Sequence, residues 1–196
     1  MEHRVQLLNN VSWIILLMIA GCKQNSKPAI HQYLISSTDT NLHPVNGVMF
    51  LKDQPLTGTV FLIYPGTSDT AEIAVYKEGK ENGTWKKFYA NGLLKEKREF
   101  SNGKKTNEYL AWWENGQQQL HYLFKNDEYE GTCREWNSTG SLVKEMNYKK
   151  GHEEGPQRWW YDNGKIKANY VITDGRRYGL LGTKNCINVS DSVFKK

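Results

Sequence analysis

The stretch "FYANGLLKEKREFSNGK", residues 88–104, holds two Asn-Gly pairs, Asn91-Gly92 and Asn102-Gly103, eleven residues apart. Asn and Gly tolerate the positive φ that tight hairpin turns demand. The segment between the pairs has the length of an ordinary strand. Similar wording returns downstream as "WWENGQQQLHYLFKND", residues 112–127, and "WYDNGKIKANYVITDG", residues 160–175. A chain that turns twice in so short a span and then repeats the pattern is a series of hairpins.

Aligned on the Gly after each aromatic pair, the units are 83–106, 107–130, 131–154 and 155–178, a period of 24 residues. A more divergent unit runs from Gly58 to Asn82, and a half unit, "FLKDQPLTG", precedes it. Periodicity on this scale signals a repeat architecture. Two turns per unit give two antiparallel strands per unit. The predicted fold is therefore all-β, an elongated antiparallel β-meander of stacked hairpins over residues 46–178.

The second strand of each unit alternates with period two, as a half-buried strand should. Its inward column is Leu94, Arg98 and Phe100, then Leu120, Tyr122 and Phe124, then Leu142, Met146 and Tyr148, then Ile166, Tyr170 and Ile172. The first strand carries two adjacent aromatic columns. One is Ile63, Phe88, Trp112, Trp136 and Trp160; the other is Tyr64, Tyr89, Trp113, Asn137 and Tyr161. Adjacent strand residues point to opposite faces. One column is expected in the core and the other on the open face. Tyr64, Tyr89, Trp113 and Tyr161 are the candidate binding face, because exposed Trp and Tyr stack on sugar rings or anchor protein partners.

The pattern Gly-x-x-x-x-aromatic-aromatic-x-Asn-Gly, followed by an aromatic eight residues later, resembles the variant MORN repeat. Phe88-Tyr89, Trp112-Trp113 and Trp160-Tyr161 carry the resemblance, which covers roughly residues 47–178. It is also similar to the YwqK-type proteins, a group labelled antitoxins. Unit 131–154 departs from the pattern, with Asn137 at the second aromatic position and Thr139-Gly140 at the turn. The resemblance implies an elongated sheet of stacked hairpins and little about activity.

The N-terminus begins "MEHRVQLLNNVSWIILLMIAGC". Its apolar run from Val11 to Ala20 is too short to span a bilayer and fits the h-region of a signal peptide. Ile19-Ala20-Gly21-Cys22 resembles a bacterial lipobox, which assigns residues 1–21 to a signal peptide and Cys22 to lipidation. Residues 22–45 are polar and turn-prone and read as a flexible tether. The expected location is a membrane outside the cytoplasm. Lys23, in place of an Asp after the Cys, points to the outer membrane facing the periplasm. Residues 179–196 break the period and read as a cap or tail, since a terminal repeat must hide an open end.

Chemistry is sparse. Five His are scattered without metal-ligand spacing, and neither a nucleophile elbow nor a phosphate loop is present. No metal, cofactor or catalytic residue is expected, and the chain reads as non-enzymatic. Cys133 and Cys186 either pair, which an exported location permits, stand as two thiols, or serve a redox or metal role.

The net charge is +5, but it is segregated: unit 83–106 has seven Lys/Arg against two Glu, whereas unit 107–130 has one Lys against five acids. A nucleic-acid groove would be basic along its whole track, so nucleic acid is not the expected partner. The expectation is a lipid-anchored protein-interaction module of the cell envelope. Alternatives are a module binding peptidoglycan or surface polysaccharide, and an immunity protein neutralising a toxin. Nothing in the sequence sets the oligomeric state.

Overall fold

The computed structural model describes residues 33–182. The signal peptide, the lipobox with Cys22, the first part of the tether, and Cys186 lie outside the described residues. Within them, every regular element is a strand.

The strands are β1 (Tyr33–Ser36), β2 (Leu42–Val45), β3 (Val48–Leu51), β4 (Gln54–Pro55), β5 (Gly58–Ile63) and β6 (Thr70–Lys77). Then come β7 (Lys80–Glu81), β8 (Gly83–Phe88), β9 (Leu94–Ser101), β10 (Lys104–Trp112) and β11 (Gln118–Lys125). The last are β12 (Glu128–Tyr129), β13 (Gly131–Trp136), β14 (Leu142–Lys149), β15 (His152–Trp160), β16 (Ile166–Thr173) and β17 (Arg176–Leu180). From β5 to β17 the main sheet is a continuous antiparallel meander, with the short β7 and β12 pairing on β6 and β11.

Two kinds of turn alternate along it. In the first kind the Gly adopts positive φ: Gly92 82°, Gly116 83°, Gly140 84° and Gly164 78°. Its amide donates to the residue three earlier, as Gly92 does to the Tyr89 carbonyl at 2.9 Å. The preceding Asn is not in that region. Instead, the Asn91 and Asn163 side-chain oxygens accept the amides of Leu93 and Lys165, both at 3.0 Å. These are three-residue loops with an Asx bond. In the second kind both central residues have positive φ, as at Asn102 (54°) and Gly103 (82°), and at Asp174 (50°) and Gly175 (72°). That is the type I′ hairpin, whose twist matches the flanking strands.

The structure amends two expectations. Residues 33–45, read as the end of a flexible tether, form β1 and β2. Ile35 is buried in a cluster with Leu56, Val60 and Ala74, and this apolar contact outweighs the polar composition around it. β1 joins the edge of the main sheet parallel to β5, with Tyr33 opposite Gly58 and Ser36 opposite Phe61. The chain reaches β5 only after crossing the separate three-stranded sheet β2-β3-β4, so the edge pair is parallel and the main sheet is mixed. At the other end, β17 continues the meander to Leu180, beyond the expected start of the cap at 179.

Gly79 ties the small sheet to the large one. Its amide donates to the Leu56 carbonyl and its carbonyl accepts the Met49 amide, both at 2.7 Å. Its φ is +76°, and a Cβ there would strike the Val48 side chain and come within 2.8 Å of the Met49 carbonyl. Gly47 has a similar φ, +78°, with nothing within 4 Å. Gly79→Ala is therefore expected to cost about 2–4 kcal/mol, left-handed strain plus overpacking. Gly47→Ala is expected to cost about 1–2 kcal/mol, the strain alone. Urea melts of the two variants check the difference; equal losses would show that Gly79 does not couple the sheets.

Candidate functional site

The register sorts the main sheet into two unlike faces. On one, a row runs Arg98, Tyr109 and Tyr122, strand opposite strand, and another runs Cys133, Met146, Gln157 and Tyr170. The buried side chains of the main sheet all belong to this face, from Val60 and Ala74 through Ala111 and Phe124 to Ala168 and Ile172. The expected second-strand column lies here. Rings of the column and of neighbouring strands touch in series across this face: Tyr109 with Tyr122 at 6.0 Å, Tyr122 with Tyr129 at 5.5 Å, and Tyr129 with Tyr148 at 4.9 Å. This is the core face.

The opposite face carries a straight row across ten strands. It runs Phe61, Ile73, Lys86 and Lys97, then Leu110, His121 and Arg134, then Glu145, Arg158 and Asn169. None of these is buried. At a strand spacing near 4.8 Å the row spans about 43 Å. Glu145 joins two of its cations, with Arg134 Nε at 2.9 Å and Arg158 Nη1 at 3.4 Å. His121 Nε2 lies 3.0 Å from Glu108 Oε1.

The two first-strand aromatic columns behave otherwise than expected. Neither is core: Phe88, Trp112, Trp136 and Trp160 are all half-buried, as are Tyr64, Tyr89 and Trp113. Both stand beside the first turn, where a single-layer sheet has run out of cover. The second column reaches from one repeat to the next. Tyr64 Oη donates to the Phe88 carbonyl at 2.6 Å, Tyr89 Oη to the Trp112 carbonyl at 2.8 Å, and Trp113 Nε1 to the Trp136 carbonyl at 3.0 Å. Three of the four candidate binding residues thus clasp the backbone of the neighbouring hairpin. Tyr161, at 40% exposure, has Lys167 Nζ 5.5 Å from its ring centre. Asn137, the outlier of the column, spends its oxygen on the Thr139 and Ser141 amides and its nitrogen on Asp162 Oδ1 at 3.1 Å.

Trp85, Tyr109, Cys133 and Gln157 share one repeat position in the sequence, but the task that three of them perform there was not read from it. Trp85, Cys133 and Gln157, spaced 48 and 24 residues apart, each meet the backbone ten residues earlier, whereas Tyr109 between the first two accepts a hydrogen bond from Arg98 Nη2 at 3.0 Å. Trp85 Nε1 donates to the Val75 carbonyl at 3.1 Å. Gln157 Nε2 donates to the Asn147 carbonyl at 2.8 Å, and its Oε1 accepts the Asn147 amide at 3.3 Å. The ladder register shifts between Met146 and Tyr148, so these backbone groups have lost their strand partners and the fully buried Gln157 amide replaces them. Cys133 is likewise fully buried; burial pushes its thiol up, partly offset by the Leu123 amide. Fixed spacing was the available signal. The residue types differ too much to betray a shared task.

Burial, and to a lesser degree Glu153, pushes Tyr148 up to about 12; burial, then Glu81 and Glu72, does the same for Tyr76. Tyr122 is also pushed up, by burial first and then by the hydrogen bond it donates to Glu135. Among the described residues, no group of three or more His, Cys, Asp or Glu is placed to hold a metal ion.

The MORN repeat variant profile matches three stretches, residues 81–102, 129–150 and 153–170. The unmatched unit opens on Asn107, with φ 54°, where the others open on Gly83, Gly131 and Gly155. MORN repeats are in general protein- or lipid-interaction modules. No curated protein is significantly similar to the chain. A crystal structure of accessory secretory protein 1, 2 and 3 in Streptococcus pneumoniae is similar at 16% identity and a TM-score of 0.18. That match covers 68% of this chain and 21% of the other, so the chain spans about a fifth of that protein's length.

Two measurements test this account. Tyr89→Phe removes one partly wet hydrogen bond and is expected to cost about 1 kcal/mol, whereas Gln157→Leu strands two buried backbone groups and is expected to cost about 2–4 kcal/mol. Reversed magnitudes in urea melts would refute the assigned roles. Tyr76 and Tyr148 hold their protons more tightly folded than unfolded, so their contribution is complete below pH 10 and is lost as pH rises toward 12. The melting temperature is expected to fall across that window in parallel with phenolate absorbance. A flat profile would contradict it.

Proposed function

We propose that this protein is a non-enzymatic interaction module that binds a protein partner across the open face of its repeat sheet, held at a cell-envelope membrane by lipid on Cys22. The observation that carries the reading is the row from Phe61 to Asn169. Ten side chains, polar and apolar together, stand in one line on the face that holds none of the buried residues. An extended partner meets them in register, as partners of repeat proteins commonly do. The sequence Ile19-Ala20-Gly21-Cys22 supports the anchor, and the outer membrane facing the periplasm is the location that Lys23 favours.

The core face is a poorer docking surface because its rings are already covered by cations of the chain itself. Arg98 lies 4.3 Å from the Tyr109 ring centre, and Arg177 lies 5.6 Å from that of Tyr170. The clasp residues Tyr64, Tyr89 and Trp113 hold the sheet straight and act on the partner only through that geometry.

A photocrosslinking residue placed at Lys97 or Arg158 in intact cells is expected to capture a specific protein. The same residue at Tyr109 is expected to capture none, and Cys22→Ala is expected to abolish capture. Equal capture from both faces would exclude the open face as the site. Capture that survives Cys22→Ala would remove the anchor from the proposal.

A further inference from the structure

A cavity of about 310 Å³ lies between the small sheet and the core face of β5–β6. Leu42, Pro44 and Met49 form one wall; Val60, Ala74 and Tyr76 form the other. Space for roughly ten waters is unusual in a sheet only one layer thick. Further along the core face, large side chains such as Tyr122, Met146 and Trp159 fill the equivalent space. At β5–β6 the residues shrink to Val60 and Ala74, and the small sheet arches over them without closing the gap.

The polar groups at the cavity are few, and one of them is charged. Glu72 supplies a carboxylate, 29% exposed at its side chain. Its Oε2 lies 3.6 Å from Lys87 Nζ, a loose contact that leaves acceptor positions on the carboxylate. Lys87 does not line the cavity; it lines a separate, smaller one on the far side of Glu72. The one charged side chain of the lining is therefore acidic, with Lys87 paired to it from outside the cavity. Ser37 and the Tyr76 hydroxyl complete the polar lining, and the ionisation of Tyr76 lies far above neutral pH.

We infer that this cleft is a binding site for a small aliphatic amine, its hydrocarbon body between Met49 and Ala74 and its ammonium group on Glu72. An apolar cavity of this size with one convergent charged group is the usual form of a small-ligand site. The charge selects a cation: a carboxylate-headed ligand of the same length would meet Glu72 with like charge and no compensating cation in the lining. The inference does not depend on the open-face reading, because the cleft is built against Val60 and Ala74 of the core face, and Phe61 alone of the open row also lines it.

Calorimetric titration of the full chain with n-hexylammonium and with hexanoate tests it. Hexylammonium is expected to bind saturably, and hexanoate at least about tenfold more weakly. Glu72→Gln, which keeps the shape and removes the charge, is expected to bring the two ligands within about twofold of one another. Ala74→Leu fills the cavity and is expected to abolish both. Should Ala74→Leu fail to fold, the surface-accessible Glu72→Gln still decides. Absent saturable binding, equal binding of hexanoate to the wild type, or a preference unchanged in Glu72→Gln would each overturn the site. A short peptide with one lysine that binds as well as hexylammonium would assign the cleft to a protein side chain and overturn its assignment to a small molecule.

Discussion

A sheet one layer thick has to hide apolar surface without a second layer, and the rest of this structure follows from that constraint. Strand register delivers the first part of the solution by placing all the buried side chains of the main sheet on one face. That face then covers itself, ring on ring, from Trp85 and Phe100, 4.8 Å apart, to Trp159 and Tyr170, 6.4 Å apart. Few of these side chains are fully buried. A thin sheet gains less from each residue than a sandwich would, and it compensates with contacts that recur in several of the units.

Those recurring contacts are polar as well as apolar. Each hairpin must be coupled to its neighbours, because a lone two-stranded hairpin is marginal in water. The Tyr64, Tyr89 and Trp113 clasps supply one link per repeat at the rim. The position shared by Trp85, half-buried, and by Cys133 and Gln157, fully buried, supplies another through the backbone ten residues earlier. The type I′ turns add a third: Gly103 donates to the Glu81 carbonyl at 2.8 Å and Gly151 to the Tyr129 carbonyl at 3.0 Å. Three rows of links, at rim, strand and turn, let a single layer behave as a continuous solid. In a nearest-neighbour stack of this kind, weakening one link opens the sheet locally before it unfolds as a whole.

Much of this was legible in the sequence, and the failures are instructive. Asn-Gly spacing gave the turns, the meander and the second-strand column, because turn chemistry and period two are local properties. Which of two adjacent aromatic columns is core was not legible. Alternation separates two faces but does not say how far along a strand the cover extends, and Trp112 and Trp113 both lie at the rim. The clasp was hidden for a related reason: Tyr89 and Trp113 read as ring surfaces, and a hydroxyl or indole donor aimed at a carbonyl 23 residues away leaves no mark in composition. Gln157 is a stand-in for lost strand partners, a task that an amide side chain does not announce in a sequence. Residues 33–45 looked like linker because single apolar residues such as Ile35 carry no periodicity, yet one buried isoleucine beside a sheet edge suffices to fix a short strand.

The unequal use of the two faces has a consequence for recognition. On the core face, cations of the chain cover the rings, Lys105 over Phe124 at 5.4 Å as well as Arg98 and Arg177, and a newcomer would have to displace them. On the open side such cover is confined to the rim, Lys95 over Tyr89 at 5.4 Å and Lys167 over Tyr161 at 5.5 Å, and the charges of the central row include Glu145, partnered with Arg134 and Arg158. Exposed pairs of that sort contribute little to stability, so replacing one of their bonds by a bond to a partner costs the fold little. The same weakness makes them suited to recognition: they can trade partners, while the buried amide of Gln157 and the rings around Cys133 keep the sheet in the shape that the trade requires.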